Sequence, residues 1–160
     1  VSGVARTERP GDDIFVRTHS IRDLDQALTD TDYVVVATPL TEETKGFFGA
    51  KQFAQMKQSC YFINIGRGAL VDEPELIKAL QTQQIAGAAL DVFQTEPLPR
   101  DNPLWNLKNV IVSPHMSGDY HEHRSAMANL FLDNLTRYRN TEQLLNQVDK
   151  KLGFVPRRKS

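Results

Sequence analysis

The feature that most constrains this chain is a series of short apolar runs separated by helical patterns. Tyr33-Val-Val-Val-Ala37 is apolar and largely β-branched, as expected of a strand buried on both sides. Cys60–Ile65, Ala86–Val92 and Val110–Ser113 read as further strands, and Val1–Ala5 as an earlier one leading into a loop over Arg6–Asp13. Helical signals lie between them. Ser20 can cap a short helix carrying Ile21, Leu24 and Leu28 on one face, and residues 50–57 suggest another. Asp72, with Pro74 in the first turn and Glu75 three residues on, is a capping-box-like start for a helix over Glu75–Gln81. From about Tyr120 the spacing of Ala126, Met127, Leu130, Phe131, Leu135 and Tyr138 predicts a long amphipathic helix. Strands that alternate with helices need crossover connections, so the expected fold is α/β with a parallel sheet.

Composition narrows the function classes. The chain has 160 residues, the length of one ordinary domain, and is 40% hydrophobic and 24% charged, which excludes disordered, collagenous and disulfide-scaffold classes. Lys plus Arg is 19 against Asp plus Glu 20, a net charge of -1 that gives no global attraction for nucleic acid or anionic lipid. No apolar run is long enough for a membrane-spanning helix. The single cysteine, Cys60, excludes an intrachain disulfide and fits a reducing, cytoplasmic compartment.

In open parallel sheets ligands bind at the carboxyl ends of the strands. Here those positions carry Arg6-Thr7, Thr38-Pro39-Leu40-Thr41, Gly66-Arg67-Gly68, Asp91 and Pro114-His115-Met116-Ser117-Gly118. Arg67 stands between two glycines that permit close backbone approach, and its guanidinium fork can hold a carboxylate through two parallel hydrogen bonds; it reads equally as a solvated turn residue. His115 can exchange a proton near neutrality, although a lone histidine is more often structural. Glu96, in a proline-stiffened loop, would favour a protonated histidine if held beside one. Asp91 ends an apolar strand and so calls for a partner. His19 falls in a connecting loop, and His121 and His123 at the solvated start of the long helix; helix geometry does not readily converge them with His115, so no metal site is expected. A dinucleotide-binding fold should open with a strand and G-x-G-x-x-G, and this sequence contains no such match.

Four segments in register, Thr38-Pro-Leu-Thr-Glu-Glu-Thr44, Asn64-Ile-Gly-Arg-Gly-Ala-Leu-Val-Asp72, Ala88-Ala-Leu-Asp-Val-Phe-Gln-Thr-Glu-Pro-Leu-Pro99 and Asn109-Val-Ile-Val-Ser-Pro-His-Met-Ser-Gly118, strongly resemble the D-2-hydroxyacid dehydrogenase family. The resemblance runs from Val1 to about Pro156. It implies a partial Rossmann-type sheet with helices on both faces over residues 1–118, then a long helix and tail over 119–160 that would return to a substrate domain. It also implies hydride transfer between NAD(P)H and C2 of a small 2-oxo or 2-hydroxy acid, as in glyoxylate/hydroxypyruvate reductase or phosphoglycerate dehydrogenase. Arg67 matches the residue that holds the substrate, His115 the acid/base and Glu96 its carboxylate partner. Asp91 matches a contact to the nicotinamide carboxamide. Thr38, Pro39, Thr44, Ile65, Gly66 and Gly118 match positions around the cofactor, to which Arg67 and His115 also belong. Where members that prefer NAD carry an acid at the end of the second strand, this chain has Arg6-Thr7, which suits the 2′-phosphate of NADPH. The family's glycine loop and N-terminal substrate domain have no counterpart in this sequence, so the expectation is a later part of a longer, homodimeric enzyme, inactive by itself. The alternative is a dinucleotide-sensing binding protein of the same fold, akin to the C-terminal-binding corepressors.

Overall fold

The structure, a computed structural model, describes residues 1–156 except Thr7 and Arg9. Its strands are β1 (Ser2–Ala5), β2 (Arg17–Ser20), β3 (Tyr33–Val36), β4 (Tyr61–Asn64), β5 (Gly87–Leu90) and β6 (Val110–Val112). Helices α1 (Leu24–Leu28), α2 (Ala50–Gln55) and α3 (Glu73–Gln81) connect them, and α4 (His123–Arg139) follows. β3-β4-β5-β6 form one sheet in sequence order and β1-β2 a second, every pair parallel. The expected α/β class and long C-terminal helix are both present.

The core fills one face of the larger sheet. Val34, Val36, Phe62, Ala88 and Leu90 point into it and meet Leu24 and Leu28 of α1, Phe53 of α2, and Leu76 and Leu80 of α3. Phe62 sits at its centre, with the rings of Phe48 and Phe53 at 5.2 and 5.4 Å between centroids. Cys60 is fully buried in the same cluster.

The opposite face corrects one expectation. β3 is buried on one side only: Tyr33 is 64% and Val35 56% exposed, and Ile111 on β6 is 71% exposed. Among the described residues, no helix covers that face. The apolar stripe of α4 is likewise open, with Met127, Phe131, Leu135 and Tyr138 all exposed. An unbroken apolar run records what a strand can bury, and says nothing of whether a cover is present.

Two further details differ from the sequence reading. His19 lies in β2, opposite Val4, rather than in a loop. That strand is polar and is held by its ladder to β1, with only Thr18 buried. At α3, Asp72 accepts from the Glu75 amide at 3.3 Å as expected, and the helix begins at Glu73. The Glu75 carboxylate pairs with Lys78 at 3.7 Å, so only half of the capping box forms.

The two faces should respond differently to mutation. Phe62→Ala leaves a cavity at the centre of the core and is expected to cost about 3–5 kcal/mol. Val35→Thr, on the open face, should stay within about 0.5 kcal/mol. Urea unfolding of both variants checks the contrast, and equal losses would mean that the open face is covered.

Candidate active site

The carboxyl ends of β3–β6 lie along one edge of the sheet, and the loops that leave them are packed against one another. Two glycines make this approach possible. A Cβ on Gly68 would stand 1.9 Å from the Phe93 carbonyl, so no larger residue lets the loop after β4 lie on the loop after β5. A Cβ on Gly66 would meet Leu70 Cδ1 at 2.8 Å and the Thr38 carbonyl at 3.1 Å. Buried Asn64 then fixes the turn: its Nδ2 donates to the Arg67 carbonyl at 3.1 Å and its Oδ1 accepts from the Gly66 amide at 3.0 Å.

Arg67 is thereby presented at the exposed tip of the loop. One guanidinium N–H donates to the Gly66 carbonyl at 2.7 Å. Glu96 comes from the neighbouring loop, where its Oε1 accepts from the Phe93 amide at 2.9 Å. Its Oε2 lies 2.7 Å from Nδ1 of His115, an ion pair when the imidazole is protonated. Partial burial alone would raise the Glu96 pKa, but the bonds from His115 and Phe93, and the charges of His115 and Arg67, outweigh it and hold the group below its ordinary 4.5. The structure therefore pairs His115 with Glu96, with the Arg67 charge near enough to act on the carboxylate.

The loop bearing His115 hangs on Asp91, which is buried at the end of β5. Asp91 Oδ1 accepts from the Ser113 hydroxyl and, at 2.9 Å, from the Met116 amide; Oδ2 accepts from the Ser117 amide at 2.8 Å. Burial opposes ionisation here too, yet these donors prevail and hold the carboxyl far below the usual carboxylate range. The partner that Asp91 called for is thus the loop on either side of His115. His115 itself has φ +54, a left-handed conformation that a non-glycine residue adopts only where its surroundings impose it. Gly118 closes the loop, with nothing within 4 Å of where a Cβ would be.

A cavity of about 630 Å³ opens beside the pair, with His115 and Glu96 on one wall and Phe93, Leu98, Trp105 and Val112 among the others. The loop after β3 borders the Gly66 turn instead, through the Thr38 carbonyl. Thr38 and Pro39 are exposed there, and Thr44 is engaged within the loop: its hydroxyl donates to the Pro39 carbonyl and accepts from the Thr41 amide, each at 2.8 Å. Ile65, 42% exposed, donates its amide to the Val36 carbonyl at 3.1 Å. Arg6 belongs to the separate two-stranded sheet, and no carboxylate pairs with it among the described residues. Thr7 lies outside the described residues. Asn64, Ser113 and Ser117, which orient the site, were not singled out from the sequence; a buried asparagine before a Gly-Arg-Gly turn is the signal that was available.

A parallel α/β unit with a paired histidine and carboxylate at its strand ends is placed to bind a ligand there and to move a proton. The chain belongs to the D-isomer specific 2-hydroxyacid dehydrogenase family, whose NAD binding domain matches residues 1–117. It is 48% identical over 129 residues to a glyoxylate/hydroxypyruvate reductase B of Cronobacter sakazakii, covering 81% of this chain and 40% of that protein. A protein of the same name from Citrobacter koseri is 54% identical over 113 residues, 71% of this chain and 35% of the relative. The chain therefore spans well under half the length of these curated relatives. Among solved structures, a Xanthobacter autotrophicus D-isomer specific 2-hydroxyacid dehydrogenase in complex with NADPH and MES superposes with TM-score 0.82 at 40% identity, over 92% of this chain and 60% of that one. An NADPH-dependent glyoxylate/hydroxypyruvate reductase from Sinorhizobium meliloti, in complex with NADP and sulfate, gives TM-score 0.85 at 31% identity, over 95% and 48%. No helix among the described residues is long and apolar enough to cross a membrane.

The Glu96 pairing is testable without turnover. Because its pKa is depressed, Glu96 should stay anionic as pH falls through 4.5 and take up its proton only below that. A carboxyl-carbon NMR titration should therefore place its midpoint under 4.5, and His115→Ala should move the midpoint upward. An unmoved midpoint would dissolve the pair.

Proposed function

We propose that these residues serve an NAD(P)H-dependent reductase of small 2-oxo acids, of glyoxylate/hydroxypyruvate type, acting in a polypeptide of the relatives' length. The observation that carries this reading is the 2.7 Å contact between His115 Nδ1 and Glu96, close enough to Arg67 for its charge to act on Glu96. When bound, the nicotinamide supplies a hydride to C2 of the oxo acid, or accepts one from the hydroxy acid. Arg67 holds the substrate carboxylate and carbonyl by its free guanidinium edge, which fixes C2 in place. Protonated His115 gives its proton to the C2 oxygen as that oxygen becomes an alkoxide, and ends neutral; in oxidation the proton returns to the ring. Glu96 orients the imidazole through Nδ1 and balances its charge, leaving Nε2 for the substrate.

The residues present fit part of the cofactor. Asp91, Gly118 and the loop at Thr38, Pro39 and Thr44, with Ile65 and Gly66, border the nicotinamide side. Arg6, unpaired with any carboxylate among the described residues, suits the 2′-phosphate and favours NADPH over NADH. No residue of this sequence supplies the G-x-G-x-x-G cradle for the pyrophosphate. Residues 1–118 would form the cofactor-binding part, and α4 would lead towards a substrate domain, although the turn at Asp149–Phe154 lies back beside Arg6. The lone buried cysteine is consistent with a cytoplasmic protein, and the open apolar stripe on α4 with a homodimer.

In a polypeptide that carries these residues and the pyrophosphate loop, His115→Ala should cost about 10²–10⁴-fold in kcat while leaving the Kd for NADPH nearly unchanged. Arg67→Ala should raise KM for glyoxylate as well as lower kcat. Residues 1–160 alone should bind nucleotide weakly and turn nothing over. Wild-type kcat in His115→Ala would end the assignment. Specific binding of NADPH with no turnover, even in the longer chain, would favour a dinucleotide sensor instead.

A further inference from the structure

The segment after α4 returns to the cofactor side of the fold. Its start is fixed by Asn134, which accepts from the Leu145 amide at 2.7 Å and donates to the Leu145 carbonyl at 3.2 Å. Its end is a tight turn built on Asp149, whose side chain accepts from the amides of Lys151 and Leu152 at 2.8 and 3.0 Å. The turn closes with an antiparallel bridge between Asp149 and Phe154. Gly153 makes the last bend at φ +76, and a Cβ there would lie 3.8 Å from the Leu40 carbonyl, in ordinary contact with the loop after β3. The next residue, Phe154, is half-buried, and its ring centroid lies 5.9 Å from the Arg6 guanidinium carbon. The turn thus touches both the end of β1 and the loop after β3.

From this geometry we propose that the turn Asp149–Phe154 is part of the nucleotide site, and that Phe154 is the positioning residue for Arg6 in selecting a 2′-phosphorylated adenosine. The proposal rests on the reading of Arg6 as the 2′-phosphate ligand. A guanidinium laid against an aromatic face is held by the ring quadrupole and restricted in its rotation, while its N–H edge stays free. That edge is the part that bonds a phosphate in bidentate fashion. Without the ring, Arg6 is a solvated side chain that must be ordered when the ligand arrives. Lys150 and Lys151 against Asp149 leave the turn one net positive charge, which favours a dianionic phosphate over a neutral ribose hydroxyl.

The test uses 2′-AMP and 5′-AMP, which share base, sugar and charge and differ only in where the phosphate sits. Their affinities for residues 1–160 are measured by NMR titration, which reads weak binding. The wild-type chain should prefer 2′-AMP, and Arg6→Ala should abolish the preference. Phe154→Ala should reduce the preference about two- to fivefold, the effect of one exposed cation–π contact, and Phe154→Tyr should restore it. Phe154 lies outside the hydrophobic core, so an unchanged Tm should accompany the loss. Equal weakening of both nucleotides in Phe154→Ala would make the ring an adenine contact and overturn its role through Arg6. A wild-type preference that Phe154→Ala leaves intact would overturn the turn's part in the site while sparing Arg6. No wild-type preference would overturn the reading of Arg6 itself, and the proposal with it.

Discussion

The site depends on one buried carboxylate. Asp91 ends β5 inside the protein, where an unpaired charge would be prohibitively costly, and three donors from the residues flanking His115 resolve that cost. Because two of them are backbone amides, the interaction fixes the course of the chain rather than a single side chain. It holds His115 in a left-handed conformation that its own preferences would not select. The imidazole then meets a glutamate on a neighbouring loop. Fold and chemistry are therefore joined at the same residue, and the energy of satisfying Asp91 is what maintains the strain at His115.

Close packing of the strand-end loops is the second requirement. Arg67 and Glu96 belong to loops that follow different strands, and those loops pack because Gly68 lets one backbone rest on the other at Phe93. Asn64 satisfies the amide and carbonyl that the sharp Gly66-Arg67 turn leaves unpaired. Below these loops the sheet is anchored on one face only, through Phe62 and the helices α1–α3. The precision of the site comes from this half-core, since among the described residues no helix covers the opposite sheet face, where the rings of Tyr33 and Tyr61 stack at 5.8 Å between centroids.

Much of this was legible from the residues, and the limits have physical causes. Strands β3–β6 announce themselves because buried parallel strands are built from apolar runs; β2, Arg17-Thr-His-Ser20, carries no such signal and exists through its ladder with β1. The exposure of Tyr33 and Val35 was not legible, because composition does not report what covers a face. The strand-end rule located Arg67, Asp91 and His115, but the residues alone left Arg67 and His115 with bland alternatives. Glu96 joined His115 only through the family resemblance, for they are 19 positions apart on separate loops. The contact of Phe154 with Arg6 links the two ends of the chain, and no local periodicity encodes such a pairing.

What remains unsatisfied at the strand ends indicates the kind of ligand that completes them. Both oxygens of Asp91 are engaged, and Glu96 has one oxygen on the Phe93 amide and the other on His115. Arg67, by contrast, makes one guanidinium hydrogen bond among the described residues, to the Gly66 carbonyl, and most of its five N–H groups find no partner there. Arg6 lies over the aromatic face of Phe154, and no carboxylate pairs with it among the described residues. Asp91 and Glu96 are thus engaged, while the guanidinium of Arg67 keeps donors to offer. Guanidinium donors of this kind suit anionic groups, which is the chemistry the proposed function asks of Arg67 and Arg6.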